Sequence, residues 1–125
     1  LNADRVEINR THIVKYAGAS GDYAPIHHDD ELARQFGNPC VFAHGMLSMG
    51  YLGEFLVQTP GVGNVRKFRA RFAKLTWPGD VVTCRGTVTA VRDDGNVRLV
   101  DCDIWTENQQ GERKVTGSAT LALPS

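Results

Sequence analysis

Residue types that can exchange protons or bind metals are concentrated in one part of the chain, namely Asp22, His27, His28, Asp29, Asp30 and His44. A histidine titrating near neutrality and a neighbouring carboxyl can together take a proton from one group and give a proton to another. On the residues alone, Asp22 and His27 are therefore a candidate acid–base pair.

A metal site is a second interpretation of the same group. His27, His28 and His44 with an aspartate would supply enough ligands. However, adjacent histidines in an extended segment point to opposite sides, and no known ligand spacing is matched. We therefore expect no metal here.

A solvated surface loop is the third interpretation, and it suits His28, Asp29 and Asp30, because an aspartate at this point can cap the helix that follows. It suits Asp22 and His27 less well. A proline stiffens their loop, which lies next to a strongly apolar segment, and rigid scaffolds often present reactive groups on such loops.

The surrounding sequence predicts the elements that position this group. A short helix pattern covers Thr11–Gly18, ended by Gly18 and Gly21, and an ordered loop without a helix covers Ser20–Asp29. A second short helix, Glu31–Phe36, follows a capping aspartate. The segment Gly45–Val57 is apolar on nearly every side, which is typical of a helix buried all round. Its glycines, at positions 45, 50 and 53, indicate close approach of another backbone or a ligand.

The second half of the chain has the period-two pattern of strands. Residues 67–72 alternate basic and apolar side chains after the turn Pro60–Gly63, and three further segments are rich in Val, Thr and Ile: Val81–Arg92, Val97–Thr106 and Lys114–Leu123. The pattern predicts a meander of four long antiparallel strands. With the apolar helix on its concave face, this is an α+β fold.

Composition limits the class of protein. The 125 residues suit one domain, 1–125, and Lys plus Arg balance Asp plus Glu at 14 each, so no overall field favours nucleic acid or a membrane surface. Three dispersed cysteines suggest neither a disulfide framework nor a zinc site. No apolar run is long enough to span a bilayer, and residues 1–4 lack signal-peptide character, so we expect a cytoplasmic protein.

A family resemblance adds to these observations. The pattern Tyr16-Ala17-x-x-Ser20-Gly21-Asp22-x-x-Pro25-Ile26-His27-x-Asp29, followed by Ala43-His44-Gly45-Met46-Leu47, resembles the hydratase motif of the MaoC-like (R)-specific enoyl-CoA hydratases. The later Arg71-Phe72 and Trp77-Pro78-Gly79-Asp80 resemble that family's strand and turn after the central helix. The resemblance covers nearly the whole chain and departs at Ala24, where the family usually has Asn.

The resemblance implies a hot-dog fold, a dimer, and a catalytic dyad falling on Asp22 and His27. The implied reaction is reversible hydration of trans-2-enoyl thioesters, carried by CoA or a carrier protein, to (R)-3-hydroxyacyl thioesters, with no metal or redox cofactor. His27 is the expected base and Asp22 its partner. The backbone N–H of Gly45, at the start of the apolar helix, could bind the thioester oxygen.

Three points stay open on the sequence. Lys67, Arg69 and Arg71 share one strand face, which is either simply solvated or meets the phosphates of CoA or phosphopantetheine. His44 is expected to be a structural residue at the helix start. Rival functions are a hot-dog thioesterase, because a fold does not fix a function, and one subunit of a heteromeric dehydratase beside the expected homodimer.

Overall fold

A computed structural model describes residues 4–58, 61 and 63–124, so Pro60 and Val62 of the predicted turn lie outside the described residues. The elements in chain order are β1 (Asp4–Glu7), α1 (Arg10–Ser20), α2 (Asp30–Gln35), α3 (Gly45–Val57), β2 (Val65–Phe72), β3 (Val81–Asp94), β4 (Val97–Glu107) and β5 (Arg113–Pro124). Within these described ranges, no helix combines the length and apolarity needed to cross a bilayer.

The five strands form one antiparallel sheet in the order β1-β3-β4-β5-β2. The predicted meander is confirmed for β3, β4 and β5. It is wrong for β2, which pairs with β5 at the far edge instead of with β3. β2 and β3 are kept apart by the link between them. At its start the Ala73 N–H donates to the Lys114 carbonyl in β5, whereas near its end the Gly79 N–H donates to the Ile8 carbonyl, next to β1. The link therefore crosses the end of the sheet.

Helix α3 packs on one face of this sheet, which confirms the α+β expectation. Its buried residues Leu52, Phe55 and Leu56 join the inward side chains of the strands in the main core. The prediction that α3 is buried all round is wrong for this chain, because Met46 and the two residues one and two turns beyond it, Gly50 and Glu54, are exposed.

The prediction that another group approaches the glycines of α3 closely holds at two of the three positions. A Cβ on Gly45 would lie 3.1 Å from ring atoms of Phe72, and one on Gly53 would lie 3.5 Å from the Phe68 ring, whereas Gly50 has nothing within 4 Å. Aromatic side chains of β2, rather than another backbone, therefore approach the helix at two of the three positions.

The segments before α3 largely follow the sequence. Asn9 caps α1 through its side chain, and Gly21 ends the helix in the left-handed conformation at φ 75°, whereas Gly18 lies inside the helix and does not end it. The predicted loop is confirmed apart from one 3₁₀ turn at Pro25–His27. Asp29 caps α2 by accepting from the Leu32 N–H.

Residues 41–43, just before α3, are pinned from two sides. The Val41 N–H donates to Asp30 Oδ1 at 3.0 Å, and the Ala43 N–H donates to the Thr76 carbonyl at 2.8 Å. The first of these bonds, followed by that from the Arg10 guanidinium, lowers the pKa of Asp30 below its ordinary value. Asp30 is therefore a structural brace rather than a solvated charge.

Candidate active site

Asp22, His27 and His44 meet where the loop after α1 passes the start of α3. Asp22 Oδ2 lies 4.0 Å from His27 Nε2 and also 4.0 Å from His44 Nε2. The two imidazole rings are stacked, with centroids 3.8 Å apart and an interplanar angle of 23°. His27 and His44 are buried, whereas the Asp22 side chain is 52% exposed and so is accessible from solvent.

The tautomer of His27 follows from its partner. Its Nδ1 lies 2.7 Å from the main-chain oxygen of Phe42. Because a carbonyl oxygen can only accept, the ring proton is assigned to Nδ1. In the neutral ring, Nε2 then carries a lone pair on the side that faces Asp22.

His44 has the opposite assignment. Its Nε2 lies 3.0 Å from the main-chain oxygen of Asp22 and must donate to it, which leaves a lone pair on Nδ1. That Nδ1 is buried without a hydrogen-bond partner among the described residues, and the Tyr16 ring covers the His44 ring at a centroid distance of 4.8 Å. His44 thus contacts the loop through its bond to Asp22, and it contacts His27 through its ring face.

The Asp22 loop is held by its own backbone. The Asp22 N–H donates to Ser20 Oγ, and the Ala24 N–H donates to Asp22 Oδ1 at 3.3 Å. Ala24 therefore braces the carboxylate through a main-chain group, which its side chain does not affect. Asp22 Oδ2 is left to face the two histidines.

The same three side chains are also a potential metal-binding group, with ligand atoms within 4.8 Å of one another. Ligands at about 2.1 Å from a tetrahedral zinc ion lie about 3.4 Å apart, closer than the 4.0 Å separations found here. In addition, stacked rings do not direct their lone pairs at one point, and His44 Nε2 carries a proton. The geometry favours proton transfer over metal binding.

Gly45 lies directly after His44, as the first residue of α3, where a backbone N–H has no partner within the helix. A cleft of about 140 Å³ adjoins it, and its lining includes Gly45, Ser48, Phe72, Leu75 and Val115. This cleft is mainly apolar and could receive a short aliphatic group beside the Gly45 N–H.

The three basic residues of β2, Lys67, Arg69 and Arg71, are called the basic ladder below, and they lie away from the Asp22 and histidine cluster. Because Phe68 and Phe72 face α3, the alternating Lys67, Arg69 and Arg71 are on the outer face of the sheet. Arg69 and Arg71 line an open cleft of about 380 Å³, together with Arg113 and Trp105. The Arg113 guanidinium lies 4.0 Å over the Trp105 ring.

His28 and Asp29 match the solvated-loop interpretation: His28 is exposed and contacts the Tyr23 carbonyl, and Asp29 is a helix cap. The sequence reasoning missed two contributors, the Phe42 carbonyl and the extent of contact made by His44. A main-chain carbonyl has no side-chain signature, so nothing in the sequence could have indicated the former. The His-Gly pair at the start of α3 was a signal for the latter.

Sequence similarity shows the family of the chain. The family description "MaoC like domain" matches residues 1–109. The chain therefore belongs to the MaoC-like dehydratase family. It is 33% identical to the (R)-specific enoyl-CoA hydratase of Aeromonas caviae over 117 residues, which is 90% of this chain and 84% of that protein.

The fold class of this MaoC-like protein follows from its similarity to solved structures. The R-hydratase PhaJ1 from Pseudomonas aeruginosa superposes with a TM-score of 0.84 at 26% identity, covering 99% of this chain and 79% of the other. The ChsH1-ChsH2 complex from Mycobacterium tuberculosis gives 0.84 at 25% identity, covering 98% and 94%. The predicted hot-dog fold is confirmed, and the protein is an enzyme of the hydro-lyase class.

Proposed function

We propose that this MaoC-like protein reversibly hydrates trans-2-enoyl thioesters to (R)-3-hydroxyacyl thioesters, with Asp22 and His27 as the acid–base pair. The observation that carries the proposal is the relation between His27 Nε2 and Asp22 Oδ2. The two atoms lie 4.0 Å apart, and the Nε2 lone pair is directed to that side because Nδ1 donates to Phe42.

This separation suits a reaction on water. It is too long for a direct hydrogen bond, but one water molecule can stand about 2.8 Å from both atoms. Such a water would donate to the His27 lone pair and to the Asp22 carboxylate. It would thereby be oriented and made more nucleophilic by the two groups together.

The chemistry then balances as the addition of one water. The water oxygen bonds to C3 of the enoyl group as His27 Nε2 takes one proton of the water. That proton passes from His27 through the Asp22 carboxylate to C2, and the other proton of the water stays on the new C3 hydroxyl. Dehydration is the reverse. Negative charge gathers on the thioester oxygen meanwhile, and the Gly45 N–H at the positive end of α3 is suited to bind it.

Similarity to the Aeromonas caviae hydratase supports the thioester substrate and the (R) product. Arg69 and Arg71, with Lys67 beside them, are proposed to meet the phosphates of the thioester carrier, because a row of exposed cations suits phosphate groups. For this contact, the phosphate-bearing part of the thioester carrier must pass around the edge of the sheet at β2.

We also propose that two copies associate as a homodimer. β2 is an edge strand of the described sheet, with exposed apolar side chains at its end on Phe72 and just after it on Leu75. A third, Met46, follows Gly45, the residue that the Phe72 ring approaches. Pairing of two such edges would satisfy the free backbone groups and cover these side chains. A related partner subunit in place of the second copy is the alternative, and the similarity to the ChsH1-ChsH2 complex favours testing it.

Turnover of crotonyl-CoA by the purified chain tests the function. We expect loss of enoyl absorbance without release of free thiol, and chiral analysis should give the (R)-3-hydroxy product. Release of thiol at the same rate would indicate a thioesterase instead, and an (S) product would contradict the proposed stereochemistry. A folded chain that turns over only after a related subunit is added would indicate the heteromeric alternative.

A further inference from the structure

His44 is a buried, titratable residue that the proposed reaction does not use. It is 2% exposed, stacks on His27, and donates through Nε2 to the main-chain oxygen of Asp22. Within the described part of the chain, His44 therefore contacts both members of the pair, His27 through its ring face and Asp22 through Nε2.

The unpartnered Nδ1 of His44 argues against a purely structural role. Burying an acceptor without a partner lowers stability, and an apolar residue of similar size would avoid that cost. A group that reduces stability at this position is therefore explained best by what its other nitrogen and its ring face do for Asp22 and His27.

Two geometric facts define what His44 does. Its proton is on Nε2, so of the two nitrogens that lie 4.0 Å from Asp22 Oδ2, only that of His27 has a lone pair to accept a proton. Its ring also covers one face of the His27 ring, while the edge of that ring is held by Phe42.

We infer that His44 is a positioning residue for the hydration reaction: it holds the Asp22 main chain and the His27 ring so that His27, and not His44, is the base. This inference rests on the proposed function. It assigns His44 no contact with the substrate and no proton transfer.

Two substitutions separate the hydrogen bond from the ring. His44→Gln keeps an N–H donor for the Asp22 carbonyl, whereas His44→Phe keeps an aromatic ring but cannot donate. His28→Phe is the matched control, because His28 also contacts a main-chain carbonyl of the same loop, that of Tyr23, but is exposed and away from the pair.

We expect His44→Phe to lower kcat about 10- to 100-fold with KM within about threefold, because misplacement by about 1 Å can cost that much in rate. His44→Gln should recover most of the loss, and His28→Phe should keep the wild-type kcat. Thermal unfolding of each variant gives the folded fraction, so that kcat is expressed per folded enzyme. A His44→Phe variant with more than half of the wild-type kcat, or a His44→Gln variant as impaired as His44→Phe, would overturn the inference.

A second measurement does not depend on turnover. Long-range ¹H–¹⁵N spectra of the neutral imidazoles in the wild-type protein should give opposite tautomers: Nδ1–H for His27 and Nε2–H for His44. The same tautomer on both rings would overturn the inference even if hydration is observed. Opposite tautomers in a protein that does not hydrate enoyl thioesters would support the arrangement while the proposed function fails.

Discussion

The Nδ1 atom of His27 and the main-chain oxygen of Phe42 lie 2.7 Å apart, and this one contact orients the nitrogen that faces Asp22. The Phe42 carbonyl is itself positioned by the bonds of its two neighbours, Val41 to Asp30 and Ala43 to Thr76. The direction of the His27 lone pair therefore depends on backbone held from α2 and from the link after β2.

The first prediction concerns the pair itself. Asp22→Asn keeps the shape of the side chain but removes the carboxyl that exchanges a proton, and His27→Gln removes the base. Each should lower kcat about 10²- to 10⁴-fold. Because both groups act on the same water, the double variant should fall well short of the product of the two single effects.

Tm and kcat are measured on the same samples, together with a control variant. His28→Gln changes the same residue type in the same loop, away from the pair, and should keep wild-type kcat and Tm. If either Asp22→Asn or His27→Gln stays folded and keeps more than about a tenth of wild-type kcat, the pair is not the catalytic centre.

The sequence predicted the local elements better than their arrangement. Glycines identify the end of α1 and an aspartate cap identifies the start of α2, because both signals are local, although Gly18 does not end α1 and α2 begins and ends one residue earlier than predicted. The position of β2 beside β5 could not be predicted, because period two specifies a strand and its faces but not its neighbour. For the same reason, Asp22 and His27 could be chosen by type, whereas the Phe42 contact depends on the fold.

Asp30 gives a prediction about stability and pH. Its pKa is lowered in the folded state, first by the bond from the Val41 N–H and then by Arg10. A lowered pKa means that the ionised form stabilises the fold at pH values above the ordinary aspartate range, and that this stabilisation is lost as the pH falls. Asp30→Asn should therefore lower Tm at pH 7, and the Tm difference from wild type should narrow below about pH 4.

Calorimetry from pH 7 downward measures this difference. Asp94→Asn, at the exposed end of β3, is the control, and it should change Tm little, as most surface substitutions do. A Tm difference for Asp30→Asn that stays constant down to pH 3 would show that the charge of Asp30 does not contribute.

The basic ladder is tested through the carrier of the acyl group. If Arg69 and Arg71 meet phosphates, Arg69→Gln with Arg71→Gln should raise KM for crotonyl-CoA far more than KM for a truncated thioester without the nucleotide. The effect should weaken as salt is added, because exposed charges are screened.

The matched control for this experiment is Arg92→Gln. Arg92 lies on β3, which β4 and β5 separate from β2, and is paired with Asp101; its loss should not change the ratio of the two KM values. If the double variant raises KM equally for both thioesters, the basic ladder does not bind the phosphates and is simply a solvated face.

Self-association is tested at Met46, which is 52% exposed on α3. Met46→Glu would place a charge in the proposed dimer contact, and should shift sedimentation at micromolar concentration from dimer to monomer. Val14→Glu, at a residue exposed to a similar extent on α1, should leave the dimer intact. A wild-type chain that sediments as a monomer would contradict the proposal directly.

The last prediction concerns Gly45, whose N–H we propose as the donor to the thioester oxygen. A methyl group added there would lie 3.1 Å from ring atoms of Phe72. The Phe72 side chain is half exposed, so its ring can move away and the fold should lose little stability. The methyl group would still stand beside the N–H and displace the thioester, and removal of one such donor costs about 10²- to 10³-fold in kcat. Gly45→Ala, which displaces the thioester but keeps the donor, should therefore cost less, about tenfold.

A second substitution shows whether the crowding at Gly45 is the cause. Phe72→Leu widens the cleft that Gly45 and Phe72 both line, which leaves more room for the thioester beside the added methyl group, so Gly45→Ala combined with Phe72→Leu should be less impaired than the product of the two single effects. Gly18→Ala is the control, because Gly18 lies inside α1 with nothing within 4 Å of an added Cβ. It should raise the free energy of unfolding by up to about 1 kcal/mol and leave kcat unchanged. A Gly45→Ala variant with full kcat would contradict the predicted crowding of the thioester beside the Gly45 N–H.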